Sequence, residues 1–321
     1  MSADRFLDIE NVLFTITMVL YLASMVSYAL FLALKKEKAG VLGGYLAAAG
    51  FVLHTAALIT RGIGAGRLPM TNQYEFATSF AWGICLCFLI FLWRYKFRAM
   101  GTFVMPVVFL IIGYAAMQSR EVRELMPALR SNWLAIHVSS AIISYGAFGV
   151  SFAVSLIYLI SRGRRAGKSP AAGASAIGTS AASASAAGAS VIGTSAVNSS
   201  AVGSSAAGSP ADSFWQKHVP DAEKLDLISY RAVSLGFLFL SFVIVSGAIW
   251  AERAWGSYWS WDPKETWSLI TWIIYAIYLH LRISRGWKNR NAAIFAVIGF
   301  ICVIFTYIGV NTLIPGIHSY A

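Results

Sequence analysis

The stretch Trp250-Ala-Glu-Arg-Ala-Trp255-Gly-Ser-Tyr258-Trp259-Ser-Trp261-Asp262-Pro263-Lys264-Glu265-Thr-Trp267 decides how this chain is read. Residues 250 to 267 hold five of the eleven tryptophans and lie between two segments apolar enough to span a membrane. Trp255, Tyr258, Trp259 and Trp261 are spaced so that a short helical or turn-rich segment lays several indoles side by side. Such an arrangement is a flat apolar floor, suited to a flat ligand. The run closes on Asp262-Pro263-Lys264-Glu265, which predicts a capping box: Asp262 as N-cap, Pro263 at the first helical position, and Glu265 reaching back to the cap. A helix is expected to start there, at the membrane surface.

Outward from this segment the chain is almost all membrane. It is 58% hydrophobic and 12% charged, with a mean hydropathy of +0.65, which excludes an ordinary soluble domain. Crossing a bilayer takes about 20 apolar residues, and eight such stretches occur, near 11–34, 40–60, 74–93, 100–117, 132–160, 227–250, 264–281 and 292–310. The expected fold is an all-α, polytopic transmembrane helical bundle of about eight spans with an external tryptophan-rich segment. A net charge of +11 raises the question of nucleic acid. The cations, however, sit in short clusters between spans: Lys35, Lys36 and Lys38; Arg94, Lys96 and Arg98; several between Arg162 and Arg231; and Arg282, Arg285, Lys288 and Arg290. That pattern encodes orientation in a bilayer and implies no nucleic-acid partner. The positive-inside rule places both termini and segment 250–267 on the non-cytoplasmic side. Residues 1 to 10 carry three acids against one arginine, and the first basic cluster follows the first span, which argues against a cleaved signal peptide.

Residues 163 to 213 are nearly all Ala, Ser and Gly, with GASAIGTSA (173–181) almost repeated as GASVIGTSA (188–196). Side chains this small cannot bury enough apolar surface to offset the entropy of ordering. Residues 163–226 are therefore expected to be a flexible cytoplasmic linker between an N-terminal five-span half (1–162) and a C-terminal three-span half (227–321). The loop RGIGAGRLPMTNQY (61–74) has no Lys-Ser/Thr and follows no strand, so it is expected to be a tight loop near the tryptophans rather than a phosphate loop. Residues 118–132, with Arg120, Arg123, Arg130, Glu121 and Glu124, read either as a solvated amphipathic helix or as a contact surface.

The spans sort the five histidines. His137 falls in the second turn of the fifth span and His318 eight residues past the last one, both on the side of the tryptophan segment. Alone, each fits an interfacial hydrogen-bonding residue. Together, two imidazoles and an aromatic surface are what a six-coordinate haem iron and its macrocycle need. Arg253 and Lys264, or the open amides at the start of the seventh span, suit the propionates. His280 lies about 25 Å deeper by helical rise, and an ionisable side chain at that depth is a functional candidate. If it binds a metal, the second ligand must come from another subunit, because no other deep inner histidine exists in the chain. His54 is either a packed residue or a supporting one, and His218 is expected to be exposed. The three cysteines lie inside apolar spans, and neither CxxC nor CxxCH occurs. No disulfide framework and no covalent haem site is implied.

WGSYWSWDPKETWSL (255–269) resembles the WWD signature of haem-handling proteins of cytochrome c biogenesis. With FVLHTAAL (51–58), PMTNQYEF (69–76), NWLAIHV (132–138) and GIHSY (316–320), the chain is similar to the CcsA/ResC type of the system II pathway, in the CcmF/CcsA superfamily, where the label CcsB is also used. The resemblance covers about residue 11 to 321 except the linker. It implies an integral protein of the bacterial cytoplasmic membrane or the thylakoid, working with a CcsB/ResB-type subunit. It also implies haem b as the transported substrate, offered to the CxxCH thiols of apocytochrome c. The roles carried over are outer haem-iron ligands for His137 and His318, an inner ligand for His280 paired with the partner, and a WWD surface of Trp255, Tyr258, Trp259, Trp261 and Asp262. Such a chain is one component of a cytochrome c haem lyase complex that acts by positioning, with no catalytic side chain assigned. The rival is a polytopic transporter whose aromatic loop is an interfacial belt with no haem role, which predicts tryptophans scattered over both interfaces.

Overall fold

Backbone groups in lipid must satisfy one another, and this chain does so with helices alone. A computed structural model describes residues 2–122, 131–166, 214 and 217–314, with only the backbone given for 163–166; no strand occurs among the described residues. In order they form α1 (Ala3–Leu34), α2 (Glu37–Ala65), α3 (Gln73–Tyr95), α4 (Gly101–Ala116), α5 (Asn132–Ala166), α6 (Ala222–Trp255), α7 (Pro263–Arg285) and α8 (Arg290–Ile304). The last continues through a π-helical turn, Phe305–Gly309, into Val310–Leu313.

Close approach of α1 and α2 follows from small residues facing large ones. A Cβ added to Gly43 would lie 2.9 Å from the ring of Tyr28, and one added to Gly50 would lie 2.7 Å from Tyr21. Both tyrosines are consequently fully buried. Ser24 Oγ donates to the Gly43 carbonyl at 2.8 Å, adding a hydrogen bond across the same seam. The second half packs by aromatic stacking: the rings of Phe148 on α5 and Tyr275 on α7 are parallel with centroids 3.7 Å apart.

Among the described residues, seven helices are long and apolar enough to cross a membrane. The one expected span that falls short is α7, because Lys264, Glu265, His280, Arg282 and Arg285 dilute its hydropathy. It still runs the length of the bundle. Its first turn reaches Asn311 at one end, and Arg282 forms a two-pronged pair with Asp226 in the first turns of α6 at the other, with distances of 2.9 and 2.5 Å. The polytopic helical bundle expected from sequence is therefore the fold.

Antiparallel alternation gathers the basic clusters at one end and the tryptophan segment at the other. At the basic end Arg231 donates to the Tyr95 hydroxyl at 3.0 Å, and Lys217 pairs with Glu37 at 2.5 Å. His218 was expected to be exposed, yet its side chain is only 12% so. It packs edge-on against Phe31 and lies 3.3 Å from Glu37, which offset its loss of water. Helix α6 starts at Ala222, so the last residues of the expected linker are helical. Residues 167–213, the bulk of that linker, lie outside the described residues.

Candidate functional site

The end where α6 meets α7 is built on a helix start. Asp262 Oδ2 accepts the Lys264 amide at 3.0 Å, and Glu265 Oε2 accepts the amides of Asp262 and Ser260 at 3.3 and 2.9 Å. This is the capping box expected from sequence, with Pro263 in the first turn. It starts α7 abruptly, just after Trp261, which is held at a left-handed φ of 58°. Few side chains as large as an indole adopt that conformation.

The indoles do not form a flat floor. Trp250 and Trp255 meet at 66° with centroids 4.7 Å apart, and Trp259 and Trp261 meet at 86° and 5.8 Å. Edge-to-face contacts match the positive edge of one ring to the negative face of the next, so the pairs interlock rather than pave. Trp250 is buried, while Tyr258 and Trp261 are 62% and 70% exposed. The four tryptophans thus grade from buried Trp250 through half-buried Trp255 and Trp259 to exposed Trp261. Trp267 packs inward on Phe305.

His137 enters this arrangement from α5. Its Nδ1 lies 2.9 Å from the Val243 carbonyl on α6, and its ring stacks on Trp250 at 6.3 Å and 29°. Gly247 makes the approach feasible, since a Cβ there would stand 2.8 Å from His137 Cε1. Two clefts, of about 120 and 70 Å³, meet at this point, and both are lined by His137, Val243, Trp250, Lys264 and Ser268. The smaller adds Tyr258, Trp259 and Glu265. The larger adds Met70, Thr71, Asn72 and Gln73, together with Tyr307 and Asn311. Sequence reasoning missed Tyr307 and Asn311. They reach the cleft through the π-helical turn, which has no sequence signature of its own and shifts the register of the helix locally.

The loop carrying Met70 and Thr71 is fastened from behind by buried charge. Glu75, fully buried, accepts from Arg61 at 3.1 Å, from Arg67 at 2.7 Å, and from both the amide and hydroxyl of Thr71 at 3.0 Å. Asn72 caps α3 by accepting the Glu75 amide at 2.8 Å. Tyr74 donates to Glu10 on α1, and Arg61 donates to the Arg120 carbonyl at 2.8 Å. Arg120 lies over Phe14 and bonds to Asn11, while residues 123–130, the larger part of the expected helix or contact surface, lie outside the described residues. Residues 61–65 of the expected loop are the end of α2 and 73–74 the start of α3; it is Met70 to Gln73 that share the larger cleft with Trp250.

His54 and His280 lie apart from the clefts. His54 is buried, with Nδ1 3.1 Å from the Tyr21 hydroxyl, which favours the packed reading over the supporting one. His280 is near the far end of α7, exposed on a face shared with Ile273 and Ile277, while Arg282 turns the opposite way to Asp226. His318 lies outside the described residues. Arg253 is engaged over the Trp133 ring at 5.3 Å. A larger cavity, about 590 Å³ between α2, α3 and α5, is lined mostly by apolar side chains and shares only Met70 with the clefts at His137.

A model of the cytochrome c assembly protein family matches residues 70–318, from the loop beside His137 through α8. The chain belongs to that family. It is 38% identical over 271 residues to the cytochrome c biogenesis protein CcsA of Microcystis aeruginosa, covering 83% of each chain. It is also 38% identical over 314 residues to that of Nostoc punctiforme, covering 86% of this chain and 89% of the relative. This cytochrome c assembly protein shares its fold with a solved cytochrome c haem lyase CcmF: the TM-score is 0.66 at 13% identity, over 96% of this chain. It spans about half, 47%, of that longer chain. It is an integral membrane protein of cytochrome c biogenesis.

Proposed function

We propose that this assembly protein receives haem b as its substrate and holds it at the end of the bundle where α6 turns into α7. There it presents the haem to the CxxCH thiols of an apocytochrome c, in complex with a CcsB/ResB-type membrane subunit. The observation that carries the reading is the seating of His137 by the Val243 carbonyl and the Trp250 ring at the junction of two clefts. Because a carbonyl only accepts, Nδ1 carries the proton and Nε2 the lone pair, as metal-binding histidines require. Neither cleft approaches the 300–1,000 Å³ typical of a pocket that encloses a ligand. Each suits the edge of a flat molecule whose body lies on the exposed Tyr258 and Trp261. Haem supplies the iron and the vinyl groups. The chain orients it, with His318 as the second axial ligand, so that catalysis is positioning.

His280 is the inner ligand of this proposal, and its exposure on an apolar helix face suits a partner subunit that brings the second imidazole. The basic clusters at that end suit a cytoplasmic orientation, with the tryptophan segment and both termini on the other side.

The test is the absorption spectrum of the detergent-purified protein, with and without its co-expressed partner, for wild type, His137→Ala, His318→Ala and His280→Ala. Low-spin bis-histidine haem in the wild type, degraded by the outer substitutions, supports the proposal. A colourless wild type in both preparations, or spectra indifferent to all three histidines, refutes it.

A further inference from the structure

The cleft beside His137 contains a lysine that the helix start does not account for. Lys264 occupies the second position of α7, and its side chain lines both clefts between His137 and Ser268. Its ammonium donates to Asn311 Oδ1 at 2.8 Å, a neutral amide on the far side of the cleft. The two carboxylates nearest in sequence serve the cap: Asp262 accepts the Lys264 backbone amide, and Glu265 accepts from Ser260 and Asp262. The nearest carboxylate, Asp262, attracts the ammonium electrostatically but forms no ion pair with it within 4 Å. A charge shielded from water normally has a partner of opposite sign. Lys264 lines the same concave space as His137, whose ring is a metal-binding type of group.

We propose that Lys264, braced by Asn311, is a carboxylate-binding site that anchors an acidic arm of the molecule held at His137. The site selects macrocycles bearing a free propionate. This rests on the haem reading above and deepens it. The 120 Å³ cleft has room for an arm rather than for a ring. The bracing amide fixes the lysine stem, so the ammonium is preorganised for a second acceptor. Arg253, the other cation of the segment, is stacked on Trp133 outside the clefts.

The experiment titrates the full-length protein, co-purified with its partner and stripped of haem, with iron protoporphyrin and separately with its dimethyl ester, for wild type, Lys264→Met, Lys264→Arg and Asn311→Leu. Losing one buried charge-assisted hydrogen bond corresponds to an affinity change on the order of 10- to 100-fold. Lys264→Met is expected to weaken the free acid by that factor and leave the ester unchanged. Lys264→Arg keeps most of the preference for the acid, and Asn311→Leu reduces it in part. Equal loss of both ligands in Lys264→Met overturns the proposal in favour of a structural role, and no loss of either overturns it outright. A wild type that binds neither ligand sinks the haem reading itself. A wild type that binds acid and ester alike, with iron spectra still dependent on His137, sinks only the carboxylate site.

Discussion

The Nδ1 nitrogen of His137 stands 2.9 Å from the carbonyl oxygen of Val243, on a helix that begins 85 residues later in the chain. That bond sets the tautomer of the ring, and Gly247 sets its distance. Replacing Gly247 with Ala adds a methyl 2.8 Å from Cε1 without removing any ligand atom. Displacing a group that orients a metal ligand typically costs about 10- to 100-fold in affinity. Gly247→Ala is therefore expected to lower haem occupancy by about that factor, as read by the absorption spectrum. For His137→Ala the loss is larger, and added imidazole restores it in part. Wild-type occupancy in Gly247→Ala removes Val243 and Gly247 from the account.

The Glu75 cluster holds the far wall of the cleft. Breaking one side of a buried ion pair leaves the other charge unpaired, at a cost of about 3–5 kcal/mol. Glu75→Gln is expected to lower the thermal midpoint sharply. The double change Glu75→Gln with Arg61→Met is expected to be less damaging than the sum of the two singles, because the Arg61–Glu75 pair leaves together, while Arg67 loses its carboxylate in both Glu75 variants. Additive effects in a full cycle of midpoints contradict the clamp.

Trp261 is strained and exposed, with φ 58° and 70% of its surface open. Such a residue is retained for what it touches rather than for stability. Trp261→Gly relieves about 1 kcal/mol of left-handed strain. It is expected to hold or raise the thermal midpoint while weakening haem binding. A lowered midpoint with unchanged binding reverses both parts.

His280 sits on an open helix face, so His280→Ala is expected to leave the stability of the isolated chain within about 0.5 kcal/mol of wild type. Its effect belongs to the complex: haem occupancy falls only when the partner is present. A loss seen equally in the isolated chain places the second ligand within this protein.

Much of this was legible in sequence because it is written in local chemistry. Eight apolar stretches, the alternation of basic clusters and the Asp262-Pro263-Lys264-Glu265 cap each depend on residues within one or two turns of one another. The middle of the stretch 61–74 was placed near the tryptophans, since residues 70–73 share a cleft with Trp250, while its ends belong to α2 and α3. Side-chain orientation was less accessible. The indoles were expected to lie flat and instead interlock, because ring pairing answers to quadrupoles in three dimensions. His218 was expected in water and lies between Phe214 and Phe31, which spacing along the chain cannot foretell.

The sequence by itself determined a helical membrane protein, the start of α7 and the gathering of tryptophans beside it, since apolar length and capping follow from neighbours in the chain. Tertiary structure alone decided which of those residues meet. It brought His137 to Val243, Lys264 to Asn311, and Glu75 to Arg61 from separate helices. Those pairings rest on helix packing distances and a π-turn register that no local pattern encodes.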